Sequence, residues 1–147
     1  DFKGSKEAID NIVFANPDVL NHNLETVPRL QRDIRTAASY GRSLALLQLS
    51  RDLGFTGKLK TGLIVGMGET YEEVCSVLDD LAALNIDIVT IGQYLRPSPK
   101  HRPVARYVSL DEFKRYKEYG VSKGIGHVES GPLVRSSYHA KESLASA

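Results

Sequence analysis

Cysteine, methionine and tryptophan are scarce or absent in the 147-residue sequence, which has one cysteine (Cys75), one methionine (Met67) and no tryptophan. A single cysteine excludes an internal disulfide, and no Cys-x-x-Cys or His-x-x-x-His pair offers a metal site built by this chain alone. Because the only methionine lies inside the chain, we expect a processed or excised form of a longer protein.

Long hydrophobic runs and an excess of one charge are also missing. No apolar run approaches the roughly 18 residues that a membrane-spanning helix needs, and residues 1–10 lack the apolar core of a secretory signal. Nineteen basic residues face eighteen acidic ones, so the net charge of +1 creates no overall field that attracts nucleic acid or a membrane surface. We therefore expect a soluble intracellular protein with neither nucleic acid nor a membrane as partner.

In the middle of the chain, segments with the hydrophobic pattern of a β-strand alternate with a segment that has the pattern of an α-helix. Residues 59–66 form a short apolar run typical of a strand, and Thr70 and Glu73 follow at the spacing of a helix capping box. Residues 86–94 form a second, nearly continuous apolar run, which favours a strand covered on both faces. This order predicts a strand, a crossover helix and a parallel strand. The helix would end at Asn85 and bury one stripe: Val74, Val77, Leu78 and Leu81.

The same alternation extends in both directions along the chain. Residues 18–23 predict a short strand, and residues 26–52 predict a leucine-rich helix after Pro28. Ser109 and Glu112 repeat the capping-box spacing, and residues 126–130 predict a last strand. Three or four β/α units result, whereas a closed eight-unit barrel takes about 250 residues. We therefore predict an α/β fold that is part of a larger barrel, with residues 1–124 in the barrel and 125–147 as a C-terminal tail.

The carboxyl ends of three predicted strands carry polar residues and glycines. Since parallel strands share one carboxyl edge, where such folds bind ligands, we expect these residues to meet. The three sets are Asn21, His22, Asn23 and Glu25; Gly66, Gly68 and Glu69; and Gln93, Tyr94 and Arg96.

Each set admits a plainer interpretation beside the chemical one. Asn23 and Glu25 could hold the two hydroxyls of a ribose, or they could simply end a strand and cap the next helix. Residues 62–69 lack the lysine and hydroxyl residue of a phosphate-binding P-loop. They could instead let a flat base approach the backbone at Gly62 and Ile64, or form only a tight turn.

Other features are less decisive. Cys75 lies in the helical pattern and is expected to be a small hydrophobe, and His22 lacks an identifiable partner. Residues 100–123 carry seven basic and three acidic side chains, which favours a solvated helix face over a surface for an acidic partner. Residues 131–134 are expected to pack, which is unusual near a chain end and suggests that residues 135–138 are delivered to a specific place.

Four segments taken in order resemble one enzyme family. They are NHNLETVPRL, GLIVGMGET, TIGQYLRPS and GPLVRSSYH, and they are similar to the C-terminal half of lipoyl synthase, a radical S-adenosylmethionine (SAM) enzyme. The similarity covers essentially the whole chain, and GPLVRSSY is its most specific part. The resemblance implies the C-terminal portion of a partial, six-unit β/α barrel followed by a tail.

For the whole enzyme, the resemblance implies insertion of two sulfur atoms at carbons six and eight of a protein-bound octanoyl group. The implied cofactors are SAM and two 4Fe-4S clusters, one that cleaves SAM and one that is consumed as sulfur donor. Implied partners are octanoylated lipoyl carrier domains, on 2-oxoacid dehydrogenase E2 subunits and the glycine cleavage H protein, and an electron donor such as ferredoxin or flavodoxin. The implied location is the cytoplasm, or the mitochondrial matrix or a plastid in a eukaryote.

The resemblance also implies roles for particular residues. Asn23 and Glu25 match positions near the ribose hydroxyls of SAM. Ser137 matches a serine ligand of the second cluster, and Arg135 would help to hold the tail. Two further stretches match strands beside the adenine, and their residues are Gly62, Ile64, Gly66, Glu69, Gln93, Tyr94 and Leu95.

The sequence departs from the family in one respect. The two cysteine triads that bind the clusters would lie upstream of this sequence, and one cysteine cannot replace six. We therefore expect the chain alone to bind no cluster and to be inactive. Two alternatives stay open: a non-catalytic barrel module that binds a nucleoside or a carrier protein, and a radical SAM sulfur insertion like that of biotin synthase.

Overall fold

A computed structural model describes residues 5–35 and 39–137. Four strands alternate with helices, and a short 3-10 turn covers Pro28–Leu30. In chain order the elements are α1 (Lys6–Phe14), β1 (Val19–Asn21), α2 (Gln31–Ile34), α3 (Tyr40–Asp52), β2 (Lys58–Val65), α4 (Tyr71–Ala83), β3 (Ile88–Gln93), α5 (Leu110–Ser122) and β4 (His127–Gly131).

The strands form one sheet in the order β1-β2-β3-β4, and every neighbouring pair is parallel. Parallel neighbours need a crossover, which the helices between successive strands supply. Gly62 of β2 lies opposite Thr90 of β3, and Thr90 lies opposite Glu129 of β4. The predicted α/β fold with three or four parallel β/α units is confirmed by this four-stranded parallel sheet.

Helix α4 begins and ends where its sequence predicts. The Thr70 hydroxyl accepts from the Glu73 amide at 3.2 Å, and the Glu73 carboxylate accepts from the Thr70 amide at 2.8 Å, which completes the capping box. Asn85 follows the helix with a φ of 51°, a left-handed conformation that asparagine tolerates better than most residues. The predicted stripe of Val74, Val77, Leu78 and Leu81 is fully buried.

At the start of α5 only half of the predicted capping box forms. The Ser109 hydroxyl accepts from the Glu112 amide at 3.1 Å, as expected. The Glu112 carboxylate does not return to the cap, because it accepts two hydrogen bonds from Arg106, at 2.6 and 2.7 Å, and one from the Tyr116 hydroxyl at 2.5 Å. A bidentate pair with a guanidinium is stronger than a single bond to a backbone amide, and this explains the difference.

Helix α1 was not predicted, although its sequence carries a signal. The Ser5 hydroxyl caps it by accepting from the Ala8 amide at 3.3 Å, and Ile9, Ile12 and Val13 share one face. In the part of the chain that the structure describes, no helix combines the length and apolarity needed to cross a bilayer.

The sheet has two different faces. One face packs against the helices, and alternate residues such as Leu59, Leu63, Val89 and Ile91 belong to this hydrophobic core. Every residue of β3 is buried, as its continuous apolar sequence predicts. The opposite face carries Gly62, Ile64, Thr90 and Gly92 and borders the candidate site.

The C-terminal segment returns over this second face. Val134 is buried, whereas Leu133 is 78% exposed, so the expectation that both pack is wrong for Leu133. Residues 127–131 pair with β3 as a regular strand, although they fall within the predicted tail of residues 125–147. The division of the chain at residue 124 stays a prediction, and Tyr138 and His139 lie outside the described residues.

Candidate functional site

A pocket of about 360 Å³ lies where the carboxyl ends of β1, β2 and β3 meet the C-terminal segment. This volume is in the range of small-molecule sites. Its lining includes Asn23, Glu25, Gly62, Ile64, Thr90, Gly92, Gln93, Tyr94, Leu95, Val134, Arg135 and Ser136. Of the residues assigned from the sequence, the structure gathers Asn23, Glu25, Gly62, Ile64, Gln93, Tyr94, Leu95 and Arg135 here.

Glu25 is fixed in the pocket wall by its backbone. Its amide donates to the Gly62 carbonyl at 2.9 Å, and its carbonyl accepts from the Ile64 amide at 2.8 Å, so it extends the ladder beside β2. Its φ of 68° lies in the left-handed region, a conformation that costs a residue other than glycine on the order of 1–3 kcal/mol. Two backbone bonds hold this strained residue, and its carboxylate thereby borders the pocket.

Asn23 supplies a polar group without a described partner. Its side-chain amide donates to the Glu25 carboxylate at 3.1 Å, while its Oδ1 atom is buried and makes no hydrogen bond. A buried oxygen that lacks a donor costs roughly 1–3 kcal/mol. A ligand hydroxyl could satisfy this oxygen, and the neighbouring carboxylate could accept from a second hydroxyl, so the pair suits a vicinal diol.

Glycine at position 62 leaves room beside the buried Asn23 oxygen. A Cβ atom there would lie 2.9 Å from Thr90 Oγ1, closer than real Cβ atoms approach other atoms, and 3.0 Å from Asn23 Oδ1, which is tighter than most real Cβ contacts. A nucleoside therefore fits the residues present, with polar groups for its ribose and a glycine-floored wall, including Ile64, for its base.

His22 and two residues that the sequence did not single out, Arg35 and Ser43, support the strand end before Asn23. Arg35 donates from Nη1 to the carbonyls of Asn23 and Leu24, at 2.9 and 3.3 Å, and reaches Ser43 at 3.4 Å. His22 shares a 2.9 Å hydrogen bond with Ser43, and burial lowers the pKa of the His22 ring to about 4. His22 therefore stays neutral at pH 7 and serves the scaffold.

Gly66 and Glu69 do not line the pocket. The Glu69 carboxylate is buried and accepts from the amides of Gly66 and Met67, at 2.6 and 3.0 Å. Gly66 has a φ of 102°, and a Cβ atom there would lie 2.6 Å from the Arg106 carbonyl. Both residues shape the loop between β2 and α4, and their assignment to cofactor binding stays a prediction.

Gln93 lines the pocket, but both polar atoms of its side-chain amide form hydrogen bonds with backbone groups. Its Nε2 donates to the Arg106 carbonyl at 3.1 Å, and its Oε1 accepts from the Val108 amide at 2.9 Å, which fixes the loop before α5. The Tyr94 amide continues the ladder by donating to the Val65 carbonyl at 2.8 Å. Leu95 is about half exposed and forms an apolar part of the rim.

The C-terminal segment forms the remaining wall of the pocket. Arg135 donates from Nη1 to the Val134 carbonyl at 2.7 Å and to the Pro132 carbonyl at 3.4 Å. Both bonds lie within the segment itself, and the holding role of Arg135 stays a prediction. Ser137 is exposed and follows Ser136, which lines the pocket directly.

The donor set does not fit an iron-sulfur cluster. Within residues 5–35 and 39–137, no three His, Cys, Asp or Glu side chains are grouped to hold a metal ion. Cys75 is buried in α4, and burial raises the pKa of its thiol, which disfavours the thiolate that binds iron. Ser137 could contribute one ligand at most.

Comparison with known proteins gives a family relationship. No family model matches the chain. A curated lipoyl synthase from Rubrobacter xylanophilus is 52% identical over 142 residues, which are 97% of this chain and 44% of that protein. A second, from Caldanaerobacter subterraneus subsp. tengcongensis, is 54% identical over 145 residues, which are 99% of this chain and 51% of that protein. The chain is a homologue of lipoyl synthase.

The chain spans about half the length of the curated lipoyl synthases it matches. Among solved structures, SuiB of Streptococcus suis bound to S-adenosylmethionine superposes with a TM-score of 0.62 and 15% identity. The match covers 86% of this chain and 29% of SuiB. At this identity the likeness concerns the fold alone, and it agrees with the fold expected for part of a radical SAM barrel.

Proposed function

We propose that the chain is the C-terminal half of a lipoyl synthase and that its pocket binds SAM. The observation that carries the proposal is the Asn23 and Glu25 pair, an unsatisfied buried oxygen beside a carboxylate, set against a glycine-floored wall. In the whole protein, bound SAM would supply the radical that removes hydrogen from the octanoyl chain. The residues of this half bind and orient the cofactor.

The ribose of SAM is assigned to Asn23 and Glu25. The carboxylate accepts from one hydroxyl, and the unpaired Oδ1 atom of Asn23 accepts from the other. The base lies along Ile64 and the backbone at Tyr94 and Leu95, which line one side of the pocket. Arg135 and Ser136 close the opposite side and limit access of water.

Both 4Fe-4S clusters are assigned to the whole protein, with their cysteine ligands outside this chain. Ser137 is proposed as a single ligand of the second cluster, because it is exposed and lies beside the pocket wall. The reductant, ferredoxin or flavodoxin, and the octanoylated carrier domains are likewise partners of the whole protein. We place that protein in the cytoplasm, or in the mitochondrial matrix or a plastid of a eukaryote.

The basic segment at residues 100–123 is not assigned to the carrier. Arg115 stacks over the Tyr71 ring, and most of the other basic side chains form ion pairs within the chain. These pairs are Arg102–Asp33, Arg106–Glu112, Lys114–Glu118 and Lys123–Asp79. Paired charges exert little long-range attraction, so the solvated-face interpretation is favoured.

Calorimetric binding of SAM to the full-length protein tests the pocket. Glu25→Gln replaces a charged acceptor with a neutral one, and we expect at least about tenfold weaker binding, since a hydrogen bond to a charged group contributes roughly 1.5–3 kcal/mol. Glu72→Gln is the matched control, because Glu72 is exposed on α4 and away from the pocket. Unchanged affinity of Glu25→Gln would remove the basis of the ribose assignment.

The activity has a separate test. The full-length protein, with reductant and an octanoylated carrier domain, should yield a carrier that has gained two sulfur atoms, read by mass spectrometry. SAM binding without any sulfur insertion would instead support a non-catalytic barrel module.

A further inference from the structure

Lys60 is a buried cation near the start of strand β2. It is 6% exposed and lies on the same face of the strand as Gly62 and Ile64, two residues that line the pocket. Its Nζ atom donates a 2.5 Å hydrogen bond to the backbone carbonyl of Ser136. Among residues 5–35 and 39–137, Lys60 makes no ion pair.

A buried ammonium without a counter-ion is costly. Removing a charge from water costs several kcal/mol, and an apolar residue of similar length, such as methionine, would fill this position more cheaply. The same burial lowers the pKa of the Lys60 ammonium. The positive charge of Lys60 strengthens its hydrogen bond to the Ser136 carbonyl, because an ammonium is a stronger donor than a neutral group.

The same segment meets the sheet at a second point on β3. The backbone carbonyl of Val134 approaches Gly92 so closely that a Cβ atom at position 92 would collide with it. Gly92 therefore provides space for the segment, and Lys60 provides a donor two residues further along it. Between these points Val134, Arg135 and Ser136 face the pocket.

We propose that Lys60 is a positioning residue that holds residues 134–137 in place as a wall of the pocket. Lys60 does not line the pocket itself and acts through the backbone of Ser136. The identity of the ligand rests on the proposed function, whereas the anchoring of the segment does not.

Hydrogen exchange of the full-length protein without ligand tests the anchoring. Lys60→Met keeps the length and apolar stem of the side chain and removes the donor. We expect exchange of the peptide covering residues 132–137 to quicken by at least about tenfold, with exchange of α4 unchanged. Lys60→Arg, which keeps a donor, should restore most of the protection, and Lys117→Met is the control, because Lys117 is an exposed lysine on α5.

SAM titration of the same variants tests the role in the pocket. We expect three- to tenfold weaker binding by Lys60→Met and a smaller loss with Lys60→Arg. Unchanged exchange of residues 132–137 in Lys60→Met, or a released segment with undiminished SAM affinity, would overturn the proposal. If Lys60→Met does not fold, the side-chain ammonium signal of Lys60 in the unsubstituted protein decides by NMR, since a free, fast-exchanging ammonium would refute the bond to Ser136.

The experiments distinguish a failure of the SAM assignment from a failure of the proposed anchoring by Lys60. If the unsubstituted protein does not bind SAM, the SAM assignment fails, and the ligand-free exchange measurement still decides whether Lys60 holds the segment.

Discussion

Glu69 is the residue for which the sequence and the structure lead to different expectations, and Glu69→Gln separates them. By resemblance Glu69 belongs to the cofactor site, whereas the structure turns its carboxylate back onto the amides of Gly66 and Met67. Glutamine has nearly the same shape but presents one oxygen and one NH₂ group in place of two oxygens. One of the two amides would then face another donor and lose its partner.

The magnitude follows from the two hydrogen bonds. At 2.6 and 3.0 Å both are short enough to be strong, and bonds to a charged acceptor contribute roughly 1.5–3 kcal/mol each. Losing one bond and weakening the other should lower the free energy of unfolding by about 2–4 kcal/mol. Because Glu69 does not line the pocket, SAM affinity of the folded protein should change by less than about threefold.

The assay combines urea unfolding with calorimetric SAM binding, both on the full-length protein. Glu72→Gln, an exposed glutamate in the first turn of α4, serves as the control for loss of one negative charge. A Glu69→Gln variant of normal stability that has lost SAM affinity would refute the reasoning, and Glu69 would then be a ligand of the cofactor.

Two further changes test the scaffold and the glycine floor. At His22 the pKa is 6.5 when unfolded and about 4 when folded, so the unfolded state binds the extra proton between these values. Stability should therefore fall as the pH drops from 6.5 to 4, by about 1–2 kcal/mol after allowance for solvent screening, and His22→Gln should remove that part of the loss in urea unfolding. Gly62→Ala should weaken SAM binding at least about tenfold in calorimetry, because its Cβ would lie 3.0 Å from Asn23 Oδ1. Gly41→Ala, where a Cβ meets nothing within 4 Å, is the control.

Each of these expectations has a clear contrary result. An identical acid profile for His22→Gln and the unsubstituted protein would mean that His22 titrates normally in the fold. If Gly62→Ala bound SAM with full affinity, the nucleoside would not lie against Gly62.

Most of the fold was predictable because local signals and hydrophobic periods agree. The capping box at Thr70 and the stripe from Val74 to Leu81 specify α4, and the continuous apolar run of β3 specifies a strand covered on both faces. Helix α5 shows the limit, since Arg106 competes for the carboxylate that the cap would use. Such competition depends on a tertiary contact, which residue spacing does not reveal.

The site was predictable where backbone topology alone brings residues together. Asn23 and Gln93 lie at the carboxyl ends of parallel strands, so both reach the same edge of the sheet. Glu69 also follows a strand, but the bend at Gly66 turns its side chain into its own loop. Lys60 was missed because a lysine within a strand gives no sign of which chain segment will cover it.

The polar residues around the pocket divide into two groups, and the division has an experimental consequence. Gln93, Glu69 and Lys60 bond backbone groups and hold three different segments near the pocket: the loop before α5, the loop after β2 and the C-terminal segment. Asn23 and Glu25 line the pocket and bond each other, and the Asn23 Oδ1 atom is left without a hydrogen-bond partner among the described residues. Substitutions in the first group should therefore change stability or local exchange, and affinity only through the displaced segment. Substitutions in the second group should change the affinity for the ligand with little loss of stability, because these side chains bind the ligand and not the surrounding backbone.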